Sequence, residues 1–172
     1  HTGLGTFRPI EVEDLSKHKM DAEYYKIDEM ACTIVNKAKE SSQRICSIGT
    51  TTMRAMETSY TAQKLLKASE GWTNHFIHPP YNFNIADSLV TNFHLPKTSL
   101  LIMACAFAGY ELMMEAYKKA IKEKIIKLVG KVGAGEILEV CVLCGDLIFS
   151  LAKGFVSAII FIFIYYLLLQ KK

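Results

Sequence analysis

Residues 45–57 read ICSIGTTTMRAME, and this stretch decides the class of the fold. Residues 44–48 (RICSI) form a short apolar run with the β-branched content of a strand. Gly49 turns the chain, and residues 50–59 read as a helix that opens on three threonines. A strand feeding a helix through one glycine is a unit of α/β architecture. The first turn of a helix leaves backbone N–H groups without partners, and the helix dipole favours an anion there. Thr50, Thr51 and Thr52 add hydroxyls, and Arg54, about one turn in, can pair with a carboxylate or phosphate. The functional reading is an anion cradle. The plainer reading is a well-capped helix with Arg54 in a surface ion pair. Spacing alone favours the plainer one, because Thr is a common cap.

Working outward, residues 1–124 read as a mixed α/β sheet with packed helices. Upstream, residues 4–10 are a strand candidate ending at Pro9. Asp28 can cap a helix that runs to Glu40, with Met30, Ile34, Val35 and Ala38 as its apolar face, until Ser41 and Ser42 break it. Downstream, residues 72–77 form a strand stopped by Pro79 and Pro80, and residues 88–93 form another. Thr98 or Ser99 caps the next helix, residues 100–108, which is apolar on every side and should be the most buried. Gly109 suits its end. A last helix, residues 111–124, sets Leu112, Ala116, Tyr117 and Ile121 on one face and Lys118, Lys119 and Lys122 away from it. Strands 4–10, 44–48, 72–77 and 88–93 are expected to share one sheet.

The chain has 172 residues and a net charge of +3, from 20 Lys and Arg against 17 Asp and Glu. That permits an anionic partner but does not demand one, and a protein holding nucleic acid by charge alone is more basic. The first residue is His1, so the chain reads as a fragment or a trimmed product; its first 20 residues contain no apolar signal core. The cysteines number five and sit in apolar runs, which points to reduced thiols in a cytoplasmic protein. Cys141 and Cys144 form a C-x-x-C without a second ligand pair nearby, so no metal site is expected. Residues 147–169 carry a single charge, Lys153. Their length approaches the ~20 apolar residues of a membrane span only if that lysine snorkels.

Three further clusters carry polar chemistry. Residues 91–98 (TNFHLPKT) place Thr91, Asn92, His94 and Lys97 between a strand and a buried helix, where α/β proteins bind ligands. His94 can act as a general base, or it can be a core histidine bonded to backbone; local chemistry favours the second. Residues 1–8 (HTGLGTFR) offer Gly3 and Gly5 for close backbone approach, beside His1, Thr6 and Arg8. His75, His78 and Tyr81 flank Pro79 and Pro80 in what reads as a loop. The lysines at 118, 119, 122, 124, 127 and 131 read as a solvated helix face rather than a phosphate contact.

Taken together and in this order, HTGLGTFRPI, IGTTTMRAMET, SEGWTNHFIHPPY and TNFHLPKTSLL resemble the C-terminal half of the S-adenosylmethionine:tRNA ribosyltransferase-isomerases, over residues 1–124. The resemblance implies transfer and isomerisation of the ribosyl part of S-adenosylmethionine onto 7-aminomethyl-7-deazaguanine in tRNA. The product is epoxyqueuosine, and adenine and methionine leave. It implies S-adenosylmethionine as ribosyl donor, tRNA bearing the precursor at the anticodon wobble position as partner, and a cytoplasmic monomer at full length. It marks these motifs, and within them the chemistry of the reaction makes His94 the first candidate for acid/base work. Thr50, Thr51, Thr52 and Arg54 would hold an anionic group. Thr91, Asn92 and Lys97 would position the substrate, and His1, Gly3, Gly5 and Thr6 would line the pocket.

The chain departs from that family in three ways. The portion before His1, including an inserted β-barrel domain, is absent. HKMDAEYY has Asp21 where members commonly have His. The family ending, Gly-Asp-Ala-Met, does not follow Lys124; IIKLVGKVGAGEILEV stands there instead, and Gly145–Asp146 is a poor echo of it. Residues 125–172 are thus an atypical apolar tail, expected to be helical. A shifted reading frame is the favoured account, ahead of a buried helical segment and a membrane anchor. The alternative function is a non-catalytic, membrane-associated remnant, with a membrane partner only if the tail is genuine.

Overall fold

The computed structural model describes residues 1, 3–123, 127–129 and 139–141. The elements in chain order are β1 (Glu23–Ile27), α1 (Glu29–Glu40), β2 (Cys46–Ile48), α2 (Thr50–Ser59), β3 (Ser69–Thr73), β4 (Ser88–Val90), α3 (Ser99–Ala108), α4 (Tyr110–Lys122), β5 (Lys127–Val129) and β6 (Glu139–Cys141). The class is mixed α/β, as expected.

The strands do not share one sheet. Among the described residues they form three separate pairs: β1–β3 antiparallel, β2–β4 parallel and β5–β6 antiparallel. Residues 4–10 are no strand; Leu4–Phe7 is a 3-10 turn. The reason lies in Glu23, which accepts hydrogen bonds from the Gly3 N–H and the Thr6 hydroxyl and so curls the segment over β1. The expected strand at 72–77 lies earlier, at Ser69–Thr73, because β1 pairs with it from Glu23↔Thr73 to Ile27↔Ser69. β1 itself was not read from the sequence, and neither was the β5–β6 pair. The expected apolar helix within residues 147–169, and Cys144 of the C-x-x-C, lie outside the described residues.

The helices follow their signals more closely. Asp28 accepts the Ala31 N–H at 2.7 Å and caps α1. Thr98 caps α3, and Gly109 (φ +88°) ends it in the left-handed region that glycine adopts without strain. The buried face of α1 is a correction. Met30 and Ile34 are 71% and 62% exposed, while Cys32 is buried and Val35 and Ala38 pack on the core. Helical spacing offers two stripes here, and the tertiary neighbours select the one centred on Cys32 and Val35.

Two core clusters organise the molecule. One joins Cys32, Ile45, Met53, Met56, Ile77, Ile85, Leu89 and Met103; the other joins Ala104, Cys105, Ala108, Met113, Tyr117 and Ala120. α3 gives Met103 to the first and Ala104, Cys105 and Ala108 to the second. It separates two cores, which is why it is apolar all round and has no exposed residue. Lys118, Lys119 and Lys122 lie on the exposed side of α4. Among the described residues no single helix is long and apolar enough to cross a membrane.

Candidate functional site

β2 and β4 run parallel in the register Cys46↔Ser88 to Ile48↔Val90, and the Gly49 N–H reaches the Val90 carbonyl at 2.8 Å. Thr50–Thr52 and Thr91–His94 therefore leave the pair at the same end. In α/β proteins the carboxyl ends of parallel strands are where ligands sit. Gly49 (φ +96°) precedes α2 without a side-chain cap, so the first amides of α2 have no side-chain oxygen of their own cap residue. Thr50 is buried, whereas Thr51 and Thr52 are exposed.

The turn at residues 1–10 links α2 to the start of α3, the helices that come after these two segments. Thr6 is fully buried; its hydroxyl donates to Glu23 and accepts from Arg54 at 3.2 Å. Its carbonyl accepts from Ser99 Oγ at 3.2 Å, at the start of α3. Two residues past Arg8, the Ile10 N–H reaches the Lys97 carbonyl at 2.7 Å. Lys97 is exposed and holds a left-handed φ of 58°. Gly5 is needed for close approach, since a Cβ there would lie 2.5 Å from the Asp21 Cβ. Asp21 in turn pairs with Arg8 at 3.2 Å. What approaches the Gly3 and Gly5 backbone is thus this chain's own Glu23 and Asp21.

Arg54 is in neither of the two expected settings. It is buried and forms an ion pair with Glu23, with Thr6 Oγ1 and the Met20 sulfur as further contacts. Burial lowers its pKa and the Glu23 carboxylate opposes the drop; a guanidinium so paired stays charged at neutral pH. Its carboxylate partner is internal. Exposed Thr51 and Thr52, not Arg54, present the polar groups of α2 to solvent. With His1, Glu23, Tyr24, Arg54 and Thr73 they line a cavity of about 400 Å³ between β1, α1 and α2.

His94, Asn92 and Lys97 do not line that cavity. His94 Nε2 lies 2.7 Å from Thr91 Oγ1. Its backbone is held on both sides by the Tyr117 hydroxyl, which accepts from the His94 N–H (2.6 Å) and donates to the His94 carbonyl (3.0 Å). Burial pushes the His94 imidazole down to about 4, so it is neutral at pH 7. Burial pushes the Tyr117 phenol up to about 12. Asn92 Oδ1 accepts the Phe93 N–H at 2.8 Å. Among the described residues no group of His, Cys, Asp or Glu is arranged to hold a metal ion.

Glu23, Glu57 and Tyr117 were missed by the sequence reading. Glu57 is buried and accepts four hydrogen bonds: Tyr81 OH (3.0 Å), the Asn84 N–H (2.9 Å) and amide (2.9 Å), and the Ile85 N–H (3.2 Å). It ties α2 to the segment that leads into β4. The one available signal was Glu57 three residues after Arg54, a spacing that suggests a pair on the helix surface.

A family model described as queuosine biosynthesis protein matches residues 1–126. The chain belongs to this queuosine biosynthesis family. Curated relatives named S-adenosylmethionine:tRNA ribosyltransferase-isomerase are 58% identical in Flavobacterium psychrophilum and 56% in Cytophaga hutchinsonii, each over 124 residues. Another, in Natranaerobius thermophilus, is 46% identical over 124 residues. Each alignment covers 72% of this chain but 36% of the relative, so the chain spans about a third of the length of the family members it matches. The crystal structure of S-adenosylmethionine tRNA ribosyltransferase from Thermotoga maritima superposes with a TM-score of 0.52 at 39% identity, covering 59% of this chain and 36% of that one. The queuosine family is thus an enzyme family that uses S-adenosylmethionine and modifies tRNA.

Proposed function

We propose that this chain supplies one wall of a ribosyltransferase-isomerase site. That site transfers and isomerises the ribosyl moiety of S-adenosylmethionine onto 7-aminomethyl-7-deazaguanine at the tRNA wobble position, giving epoxyqueuosine and releasing adenine and methionine. The observation that carries the reading is the parallel β2–β4 pair, which sets Thr50–Thr52 and Thr91–His94 at one end, with the Thr6 turn bonded to Arg54 in α2 and Ser99 in α3. A sulfonium acidifies the adjacent CH₂, so the reaction needs an unprotonated base. His94 is held in that form, with its backbone clamped by Tyr117 and Thr91 on Nε2. The uncapped start of α2, with Thr51 and Thr52, suits the anionic end of a substrate. Asn92 and Lys97 lie on the loop that would position it, and His1, Gly3 and Gly5 on the turn beneath.

The test is release of adenine from S-adenosylmethionine with precursor-bearing tRNA. The chain alone is expected to be inactive, because effective molarities of ~10⁵ M or more arise only in an assembled site. The chain joined to the remaining two-thirds of a family member is expected to turn over, and His94→Gln in that enzyme to lower kcat. Turnover by residues 1–172 alone, or an unaffected His94→Gln enzyme, would overturn this reading.

A further inference from the structure

β1 and β3 form a two-stranded antiparallel pair, and such a pair by itself is marginal in water. His1 lies at the free edge of β1, where its amino group donates to the Tyr24 carbonyl at 2.7 Å. A strand residue turns its N–H and C=O toward the same edge, and successive residues alternate. Tyr24 and Lys26 thus turn their backbone groups away from β3, while Glu23, Tyr25 and Ile27 turn theirs toward it. Among the described residues nothing pairs with the Lys26 backbone at that edge.

The direction of the neighbouring segment is fixed as well. Going forward from His1, the Gly3 N–H meets the Glu23 carboxylate and Gly5 lies against Asp21, so this segment runs antiparallel to β1. Going backward, a longer chain passes Lys26. The cavity of about 400 Å³ lies along that path, lined by His1 and by every residue from Glu23 to Asp28. Side chains of a strand alternate between faces, so an unbroken run of lining residues marks the strand's edge rather than one face. Ala31 and Val35 of α1 and Ala55 and Met56 of α2 give this groove an apolar wall. An open backbone edge beside an apolar wall suits strand addition, in which main-chain bonds hold an extended segment and alternate side chains fill the groove.

We propose that the groove receives an extended strand, the segment that leads into His1 in full-length family members, which completes β1–β3 as a three-stranded antiparallel sheet. The curated relatives extend well beyond the matched residues, since the alignments cover 36% of their length. With His1 opposite Tyr24, the residue two before His1 exchanges both backbone bonds with Lys26. Every second side chain of the segment then faces the apolar wall and is itself apolar. Strand addition is independent of the transferase chemistry, and either can hold without the other.

The test is amide hydrogen exchange read by NMR. The chain is compared with a version extended at His1 by about eight residues, enough for a strand, taken from just before the matched stretch in the Flavobacterium psychrophilum relative. The Lys26 N–H is expected to exchange roughly tenfold more slowly in the extended chain, a larger gain than at Tyr25, whose N–H already faces β3. Proline at the second residue before His1 removes the donor to the Lys26 carbonyl and should abolish the gain. Unchanged Lys26 exchange, equal gains at Tyr25 and Lys26, or a gain that survives proline would each overturn strand addition. So would slowing of Lys26 exchange by S-adenosylmethionine in the unextended chain, which would make the groove a small-molecule pocket. If the short chain is too unstable to read, the chain joined to the remaining two-thirds of a family member gives the same comparison. An exposed Lys26 N–H there, or one that proline leaves protected, overturns the pairing. Adenine release reports separately. An active joined enzyme with an unprotected Lys26 sinks the strand and keeps the transferase, and a protected Lys26 without adenine release does the reverse.

Discussion

Two buried carboxylates anchor α2, one packed against it and one within it, and they are satisfied in different ways. Glu23, on β1, meets a cation: Arg54 pairs with it, while Thr6 and the Gly3 N–H complete its shell. Glu57, one turn along the same helix from Arg54, meets no cation. Its four bonds come from a phenol, an amide and two backbone N–H groups. Arg54 and Glu57 stand at a spacing where they could pair with each other on a free helix. The tertiary structure separates them, and each closes a different part of the chain onto α2. Arg54 fastens the N-terminal turn, and Glu57 fastens the lead into β4. A buried ion pair is sensitive to loss of either partner, whereas a carboxylate held by dipoles loses its shell in fractions.

The sharpest way to break this comparison is Arg54→Ala. It strands Glu23 in the interior, and a loss of about 3–5 kcal/mol is expected in urea denaturation. Removing both charges, as Arg54→Met with Glu23→Gln, should recover part of it. If the single variant is as stable as the parent, Glu23 is not relying on its cation. Glu57→Ala should cost less, about 1–3 kcal/mol, by leaving the Tyr81 hydroxyl and the Asn84 and Ile85 amides without an acceptor. Hydrogen exchange at those two amides should accelerate, while the amides of residues 1–10 should not respond.

His94 shows a third outcome of burial, in which the group stays neutral. Its folded pKa, about 4, lies below the ordinary 6.5 because burial disfavours the charged ring. The unfolded chain therefore binds more protons between those values. Stability is fully present above pH 6.5 and is lost as pH falls toward 4, by on the order of 3 kcal/mol, with no further contribution below. His94→Gln should flatten the pH dependence of urea midpoints in that window; an unchanged slope would mean the ring is solvated. A smaller effect, about 1 kcal/mol, is expected when Asp28→Ala removes the cap of α1. Least of all should come from Lys26→Ala, since Lys26 and Glu70 form the exposed counterpart of the Arg54–Glu23 pair and water screens them. A melting temperature shifted as far as in Arg54→Ala would erase the distinction between buried and exposed pairs.

Local signals in the sequence carried the helices and the mixed α/β class. Asp28, Thr98 and Gly109 are cap residues whose chemistry acts within a few bonds, so they could be read in place. The glycine between β2 and α2 was equally legible. The four motifs also marked the family, and two of them hold the segments that follow β2 and β4. Strand pairing was not legible, because β1 and β3 meet across more than forty residues and neither run announces its partner. The exposed side of α1 was misread for a related reason: Met30 and Ile34 have the spacing of a core face, but the neighbours that choose a face are distant in sequence.

What the sequence determined by itself was therefore whatever depends on contacts within a turn or two: where helices start and stop, and which short motifs bear polar groups. Tertiary structure alone decided which charges became neighbours. It gave Arg54 to Glu23 rather than to solvent, and Glu57 to Asn84 and Tyr81. It set the Gly3–Thr6 turn against Glu23 and Arg54 and left Trp72 exposed. The physical reason is that a buried charge must find compensation wherever the folded chain brings it. That partner is fixed by packing at long range, which no local pattern of residues encodes.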